Sequence, residues 1–209
     1  MIRALGVIAM LSGVLVVLVY QITQPMIAEN KRLAIERAVF RVVPGAVDRR
    51  DFVVTETGLE PGQQATGIQI YAGYDGDGAL KGIAAEAAAR GYQDVIRILY
   101  GYNPGCECIT GISILQSTET PGLGDKIGTD PAFLANFDAL DARLNDTRSA
   151  LRNAIVTVKH GTKTQRWQID AISGATISSK AIGKMLDDST RTLLPRLAPH
   201  ISQLKVTEP

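Results

Sequence analysis

Cysteine and histidine are scarce in this 209-residue chain, with two of each. Cys106 and Cys108 are too few for a disulfide-built scaffold or for an iron–sulfur cluster, which takes four thiolates. His160 and His200 have no ligand-spaced partner, so no histidine metal site is expected. Charge of one sign is also lacking. The 22 basic and 21 acidic residues leave a net charge of +1, which gives no basic face for nucleic acid. Familiar catalytic and nucleotide signatures are absent as well. No Gly-x-Gly-x-x-Gly follows a first strand, so no Rossmann site is indicated. No Gly-x-Ser-x-Gly elbow marks a hydrolase, although the residue counts alone permit a Ser-His-Asp set. No lysine stands at Walker spacing after Gly174, because Lys180 lies too far along.

What the chain does have begins with a long uncharged run, Ala4 to Tyr20, flanked by Ile2 and Gln21-Ile22. At about 1.5 Å per residue it crosses a hydrocarbon core of about 30 Å. A cleaved signal peptide would have a shorter apolar region and a small-x-small cleavage site, and Tyr20 to Pro25 offers none. A core helix apolar on every face is uncommon at a chain terminus. The segment therefore reads as a membrane anchor over residues 1–24. Its orientation stays open, because Arg3 lies on one side and Lys31, Arg32 and Arg37 on the other, mixed with Glu29 and Glu36. Residues 25–45 read as a juxtamembrane helix. Ile27, Leu33, Ile35, Val39, Val42 and Val43 supply an imperfect apolar stripe, and the helix stops before Pro44-Gly45.

Residues 46–209 have a different texture, with short β-rich runs between Gly and Asp turns. Residues 67–74 lead through Asp75-Gly76-Asp77-Gly78 into a second run starting at Ala79. That loop lacks the carboxylates of a calcium site and reads as a solvated turn. Residues 94–102 and 108–117 pair around Asn103-Pro104-Gly105, and residues 154–160 and 165–170 pair around Gly161. A helix follows Asp130 as N-cap and Pro131 in its first turn, with Phe133, Leu134, Phe137, Leu140 and Leu144 on its apolar face. A final helix is expected from about Ser178 to Leu194. The fold class is α+β: a single N-terminal transmembrane helix, then antiparallel hairpins with late helices. In a strand, Cys106 and Cys108 share a face. A redox or metal role and a plain turn both remain open for them.

Two segments are unusual. The stretch from Asp170 to Leu186 starts its last helix with Ser173, Gly174, Ala175, Thr176, Ser178 and Ser179. A helix start has free amide donors, and small residues let an anion approach. A helix simply capped by Ser or Thr explains the same residues. The second segment runs from Ser117 to Gly128, where Pro121-Gly122 and Gly124 impose a tight loop after a strand. Glu119 and Asp125 fit ordinary solvated charges there.

The N-terminal anchor, Glu119-Thr120-Pro121-Gly122-Leu123-Gly124 and Asp170-Ala171-Ile172-Ser173-Gly174-Ala175-Thr176 together resemble the FMN-binding G subunit of the Rnf electron-transport complex. The chain is also similar to the C subunit of the sodium-pumping NADH:quinone oxidoreductase, which shares the FMN-binding domain. The resemblance spans nearly the whole chain. It implies FMN held covalently as a phosphoester on Thr176, with Ser173, Gly174, Ala175 and Ser178 around the phosphate. Glu119, Thr120, Gly122, Leu123 and Gly124 would lie close to the flavin, with Thr120 and Leu123 against the ring or ribityl chain. A threonine hydroxyl is a weak nucleophile without a base, so a separate flavin transferase using FAD is implied as a partner. The remaining partners are the other subunits of the Rnf complex and the membrane lipid; no residue is assigned a catalytic role and none a metal. The resemblance also implies a single pass through the inner membrane, with the flavin domain on the periplasmic side. Cys106 and Cys108 are outside the family's defining motifs. The alternatives are the quinone reductase's C subunit, a non-redox anchor or assembly protein, and a membrane hydrolase using Ser173 or Ser178.

Overall fold

The computed structural model describes residues 2–62 and 65–205; Met1, Gln63, Gln64 and residues 206–209, which the expected anchor and domain include, lie outside it. Helix α1 (Ile2–Val42) is 41 residues long and takes Pro25 in its interior. It is the one helix among the described residues long and apolar enough to cross a membrane. Two compact units divide inside α1, one up to Arg37 and the other from Ala38.

The second unit is built on a seven-stranded sheet of order β2-β1-β3-β4-β5-β6-β7 with every pairing antiparallel. Its strands are β1 (Asp48–Val54), β2 (Leu59–Pro61), β3 (Ile68–Tyr74), β4 (Leu80–Arg90), β5 (Val95–Asn103), β6 (Cys108–Gln116) and β7 (Leu140–Asp141). The expected hairpins β3–β4 and β5–β6 form, because each has a turn sequence that suits it. In the first, Asp75 Oδ1 accepts the backbone N–H groups of Asp77 and Ala79, and Oδ2 pairs with Lys81 at 2.8 Å. The carboxylate serves the turn. In the second, Asn103 Oδ1 accepts the N–H of Gly105 at 2.7 Å, and a disulfide joins Cys106 to Cys108.

The third pair differs from expectation. β8 (Val156–Val158) and β9 (Gln168–Asp170) run parallel. The chain reverses twice between them. Gly161 (φ +75°) lies in the first reversal, which Thr162 N–H closes on Lys159 O. The second is organised by Gln168, whose Oε1 accepts the N–H groups of Thr164 and Gln165. A single hairpin turn would have given antiparallel strands. The middle helix is also shorter than its apolar spacing suggested. Asp130 caps it as expected, accepting Phe133 N–H at 3.0 Å, but α2 is only Pro131–Leu134, followed by one 3₁₀ turn. Asn136 Nδ2 donates to Phe133 O and to Asp170 O, which diverts the backbone from further helix. Leu140 then enters β7 and Leu144 bridges to Leu151.

Helix α3 (Thr176–Leu197) and the short α4 (Ile201–Lys205) close the domain. Ala181, Ile182, Met185, Leu186, Leu193 and Leu194 pack in one core with Ile70, Ala85, Ile98 and Tyr100 from one face of the sheet. Each of the Ile, Leu and Met side chains, fully buried, stabilises by about 1.5–3 kcal/mol. Tyr100 Oη and Ser189 Oγ lie 2.9 Å apart and share a hydrogen bond across that interface.

The opposite face receives the end of α1. Gly73 pairs with Gly82 and Gly101 with Gly111, so four adjacent strands lack side chains in one band. A Cβ on Gly73 or Gly82 would lie 3.0 Å from Val43 Cγ1, and one on Gly101 would overlap the carbonyl of Val42. Val39, Val42 and Val43 are buried. Thr110 Oγ1 donates to Val42 O at 2.6 Å and satisfies a carbonyl that the helix end leaves free.

Candidate functional site

Both singled-out motifs fold as four-residue turns with glycine in third place. Thr120 to Leu123 closes with Leu123 N–H on Thr120 O at 3.1 Å, and Gly122 has φ +78°. Ile172 to Ala175 closes with Ala175 N–H on Ile172 O at 3.1 Å, and Gly174 has φ +83°. This is the position where a type II turn demands a left-handed residue, which glycine adopts without strain. The two turns meet. A Cβ on Gly174 would lie 3.8 Å from Leu123 Cδ2.

Helix α3 begins at Thr176, two residues earlier than expected. Its N-cap is Ala175, and no side chain caps it. The hydroxyls are therefore not a redundant cap. Ser179, fully buried, donates to Ala175 O at 2.9 Å and accepts Ile172 N–H at 3.1 Å, locking the turn onto the helix. Ser178, also buried, donates to Glu119 Oε2. Thr176 is exposed, and its hydroxyl makes no hydrogen bond among the described residues. Ile177 beside it is 55% exposed.

Glu119 is not a solvated loop charge. It is 6% exposed, and its other oxygen, Oε1, accepts the N–H of Gln93 at 3.0 Å. Gln93 Nε2 in turn donates to Thr120 Oγ1 at 2.8 Å. One carboxylate thus ties together the β4–β5 turn, the Glu119–Gly124 loop and the first turn of α3. Two glycines make room for it. A Cβ on Gly91 would lie 2.5 Å from Glu119 Oε1, and one on Gly124 would lie 2.6 Å from Oε2 and 2.8 Å from Ser178 Oγ.

These three segments wall a cavity of 390 Å³, lined chiefly by Tyr92, Thr120, Leu123, Gly174, Thr176 and Ile177, with Glu119, Gly124, Ala175 and Ser178 behind them. The size falls in the range of small-molecule and cofactor sites. Tyr92, Leu123 and Ile177 are 66%, 50% and 55% exposed, so apolar surface is presented to whatever enters. Ser173 is exposed. It lines a separate cavity of 220 Å³ with Lys126, Asp130, His160 and Asp170. Sequence reasoning missed Gly91, Tyr92 and Gln93. Their turn stands 26 residues before Glu119, and nothing local in Gly-Tyr-Gln-Asp ties it to that loop.

A family model described as an FMN-binding domain matches residues 91–190, from the first of these missed residues through most of α3. The G subunit of the ion-translocating oxidoreductase complex of Methanosarcina acetivorans is 32% identical over 177 residues, covering 84% of this chain and 84% of its own length. The chain belongs to the G-subunit family of ion-translocating oxidoreductase complexes. A second relative in that family is the G subunit of the proton-translocating ferredoxin:NAD(+) oxidoreductase complex of Clostridium ljungdahlii. It is 28% identical over 182 residues, with 87% of this chain and 84% of its own length covered. The C subunit of the Na(+)-translocating NADH-quinone reductase from Parabacteroides distasonis has the same fold, with a TM-score of 0.55 at 20% identity over 78% of this chain and 80% of its own. Shewanella oneidensis NqrC gives 0.51 at 19% identity over 78% and 73%. Membership in the G-subunit family and the apolar α1 together mark a membrane-anchored component of such a complex.

Proposed function

We propose that this chain is the electron-transfer subunit of an Rnf-type, ion-translocating ferredoxin:NAD oxidoreductase complex, carrying FMN covalently as a phosphoester on Thr176. The observation that carries this reading is the convergence of both motifs on one cavity, with Thr176 as the exposed hydroxyl at its helix-start edge. The residues present suit the cofactor. The first N–H groups of α3 have no partner inside the helix, and the macrodipole there favours a phosphate. Gly174 and Ala175 add no bulk beside it. Tyr92, Leu123 and Ile177 offer the apolar surface that a flat ring system needs.

Bound FMN would supply reversible redox chemistry through its ring system. The chain's own part is to hold the group in place and shape its surroundings. Attachment through Thr176 Oγ requires an activated hydroxyl. Glu119, the carboxylate among the cavity's lining residues, accepts from Ser178 on one oxygen and from Gln93 on the other, which commits both oxygens to holding the wall. Activation then falls to a flavin transferase with FAD as donor. Ser178 and Ser179 are committed inside the fold, so they support the site without reaching the ligand. The partners are the other subunits of the complex and the lipid around α1. The flavin domain sits on the periplasmic side of the inner membrane.

Thr176→Ala tests the assignment. The exposed position permits folding, and the variant, co-expressed with the transferase, should carry no flavin by intact mass or by in-gel fluorescence after denaturation. Covalent FMN retained on that variant overturns the linkage. A wild-type chain left colourless by co-expression supports a non-redox anchor instead.

A further inference from the structure

Cys106 and Cys108 lie at the opposite end of β6 from Glu119. Cys108 opens the strand, and the Glu119 loop follows its last residue, Gln116. The eight steps between the first and last of its nine residues, at about 3.3 Å each, separate the two ends by about 26 Å. The pair is therefore remote from the cavity at Thr176 and needs a function of its own.

The bridge is poorly suited to stabilising the fold. It closes a loop of sequence separation 2, and the shortest loops gain least from cross-linking. It also sits beside backbone strain. Glu107, between the two cysteines, has φ +50°, a conformation that costs a residue with a Cβ. Among the described residues one other non-glycine shares this feature, Arg148 at φ +55°. The two are paired, with Arg148 Nη2 3.0 Å from Glu107 Oε1. The carbonyl of Glu107 accepts the N–H of Ala142 at 3.0 Å, next to the β6–β7 pairing of Cys108 with Asp141. Exposed bridges in strained surroundings are the labile ones, suited to exchange.

The two sulfurs differ in access. Cys106 is exposed, whereas Cys108 is 7% exposed. We propose that Cys106–Cys108 is a thiol–disulfide exchange site whose substrate is a dithiol. A thiolate of the dithiol attacks Cys106 Sγ in line with the bridge. The S–S bond breaks, and its electron pair leaves on Cys108 Sγ, which takes a proton from water. The donor's second thiolate then attacks the donor sulfur of the mixed disulfide, and Cys106 departs as a thiolate and is protonated. The donor is oxidised to a disulfide, and the hairpin gains two electrons and two protons. With the bridge open, Glu107 is released from its left-handed conformation, and its contacts to Arg148 and Ala142 loosen.

The test uses the full oxidised chain in detergent. It is equilibrated with mixtures of reduced and oxidised dithiothreitol and quenched with a maleimide for intact mass. Two labels should appear together, reversibly, with no loss of circular dichroism signal and with faster amide exchange at Ala142. In Cys108→Ser, the remaining Cys106 should form a mixed disulfide with oxidised glutathione at least about tenfold faster than Cys108 does in Cys106→Ser. A bridge that opens only in denaturant, an oxidised chain that already carries two free thiols, or equal rates at the two cysteines overturns the proposal. Unchanged exchange at Ala142 overturns the coupling to Glu107.

Discussion

Ser178 Oγ donates a hydrogen bond to Glu119 Oε2 across 59 residues of chain, and both groups are buried. This bond fastens the Glu119–Gly124 loop to the first turn of α3, two residues beyond Thr176. Replacing Glu119 by Ala leaves Ser178 and the N–H of Gln93 without a buried acceptor. The expected cost is about 2–3 kcal/mol, read from the denaturant midpoint, because bonds to a charged acceptor are among the stronger ones. Covalent flavin should fall with it, since the three walls of the cavity lose their common tie. Gly124→Ala should give a related loss of about 1–3 kcal/mol, because its methyl meets the same carboxylate. Wild-type stability in either variant would mean that the carboxylate is not the tie.

Much of this site was legible from residue order, and the part that was not has a physical reason. Thr120, Pro121 and Gly122 announced a turn, and Ser173 to Thr176 announced a helix start with room for an anion. Their meeting was not legible, because a contact such as Gly174 to Leu123 depends on how α2, β7, β8 and β9, which lie between them in the chain, bring the ends together. Glu119 looked like any loop carboxylate, since burial is set by Gly91 and Gln93 from a distant turn. The hairpins β3–β4 and β5–β6 were readable because each has a local turn that fixes it. The parallel pair β8–β9 was not, because Gln168 organises a second reversal through side-chain bonds that leave no periodic trace.

The glycine band under the end of α1 predicts a graded response. Gly101→Ala places a methyl against the carbonyl of Val42 and should cost at least about 2 kcal/mol, since backbone must move. Thr110→Val keeps the shape and removes only the hydroxyl bond to that carbonyl, for about 1 kcal/mol. Denaturant unfolding of the full chain in detergent reads both. If Gly101→Ala proves as mild as Thr110→Val, the helix end is not seated in the band.

Acid stability should depend on Asp141. Its carboxyl is held below the ordinary 3.8 chiefly by hydrogen bonds from the Arg143 guanidinium, which outweigh the opposing effect of burial. As pH falls, the unfolded chain takes up this proton first. The stabilisation is therefore complete above 3.8 and is lost as pH falls through the lower folded value. Asp141→Asn should cost about 1 kcal/mol at neutral pH, a modest figure because Arg143 is half exposed. The gap between variant and wild type should close as pH drops below that range. A gap that persists or widens in acid would exclude the carboxylate as its origin.

The exposed apolar groups around Thr176 lead to a test that separates ligand contact from fold. Tyr92 and Leu123 give little to the core, so Tyr92→Ala and Leu123→Ala should each change stability by no more than about 0.5 kcal/mol. Both should still accept covalent flavin, because Thr176 and the first turn of α3 are untouched. Their visible absorption and flavin emission should nonetheless shift, since the apolar surface that shields the ring from water is reduced. If the spectra match wild type while the flavin is fully loaded, the ring does not rest on this side of the cavity, and the wall formed by Ile177 becomes the place to look.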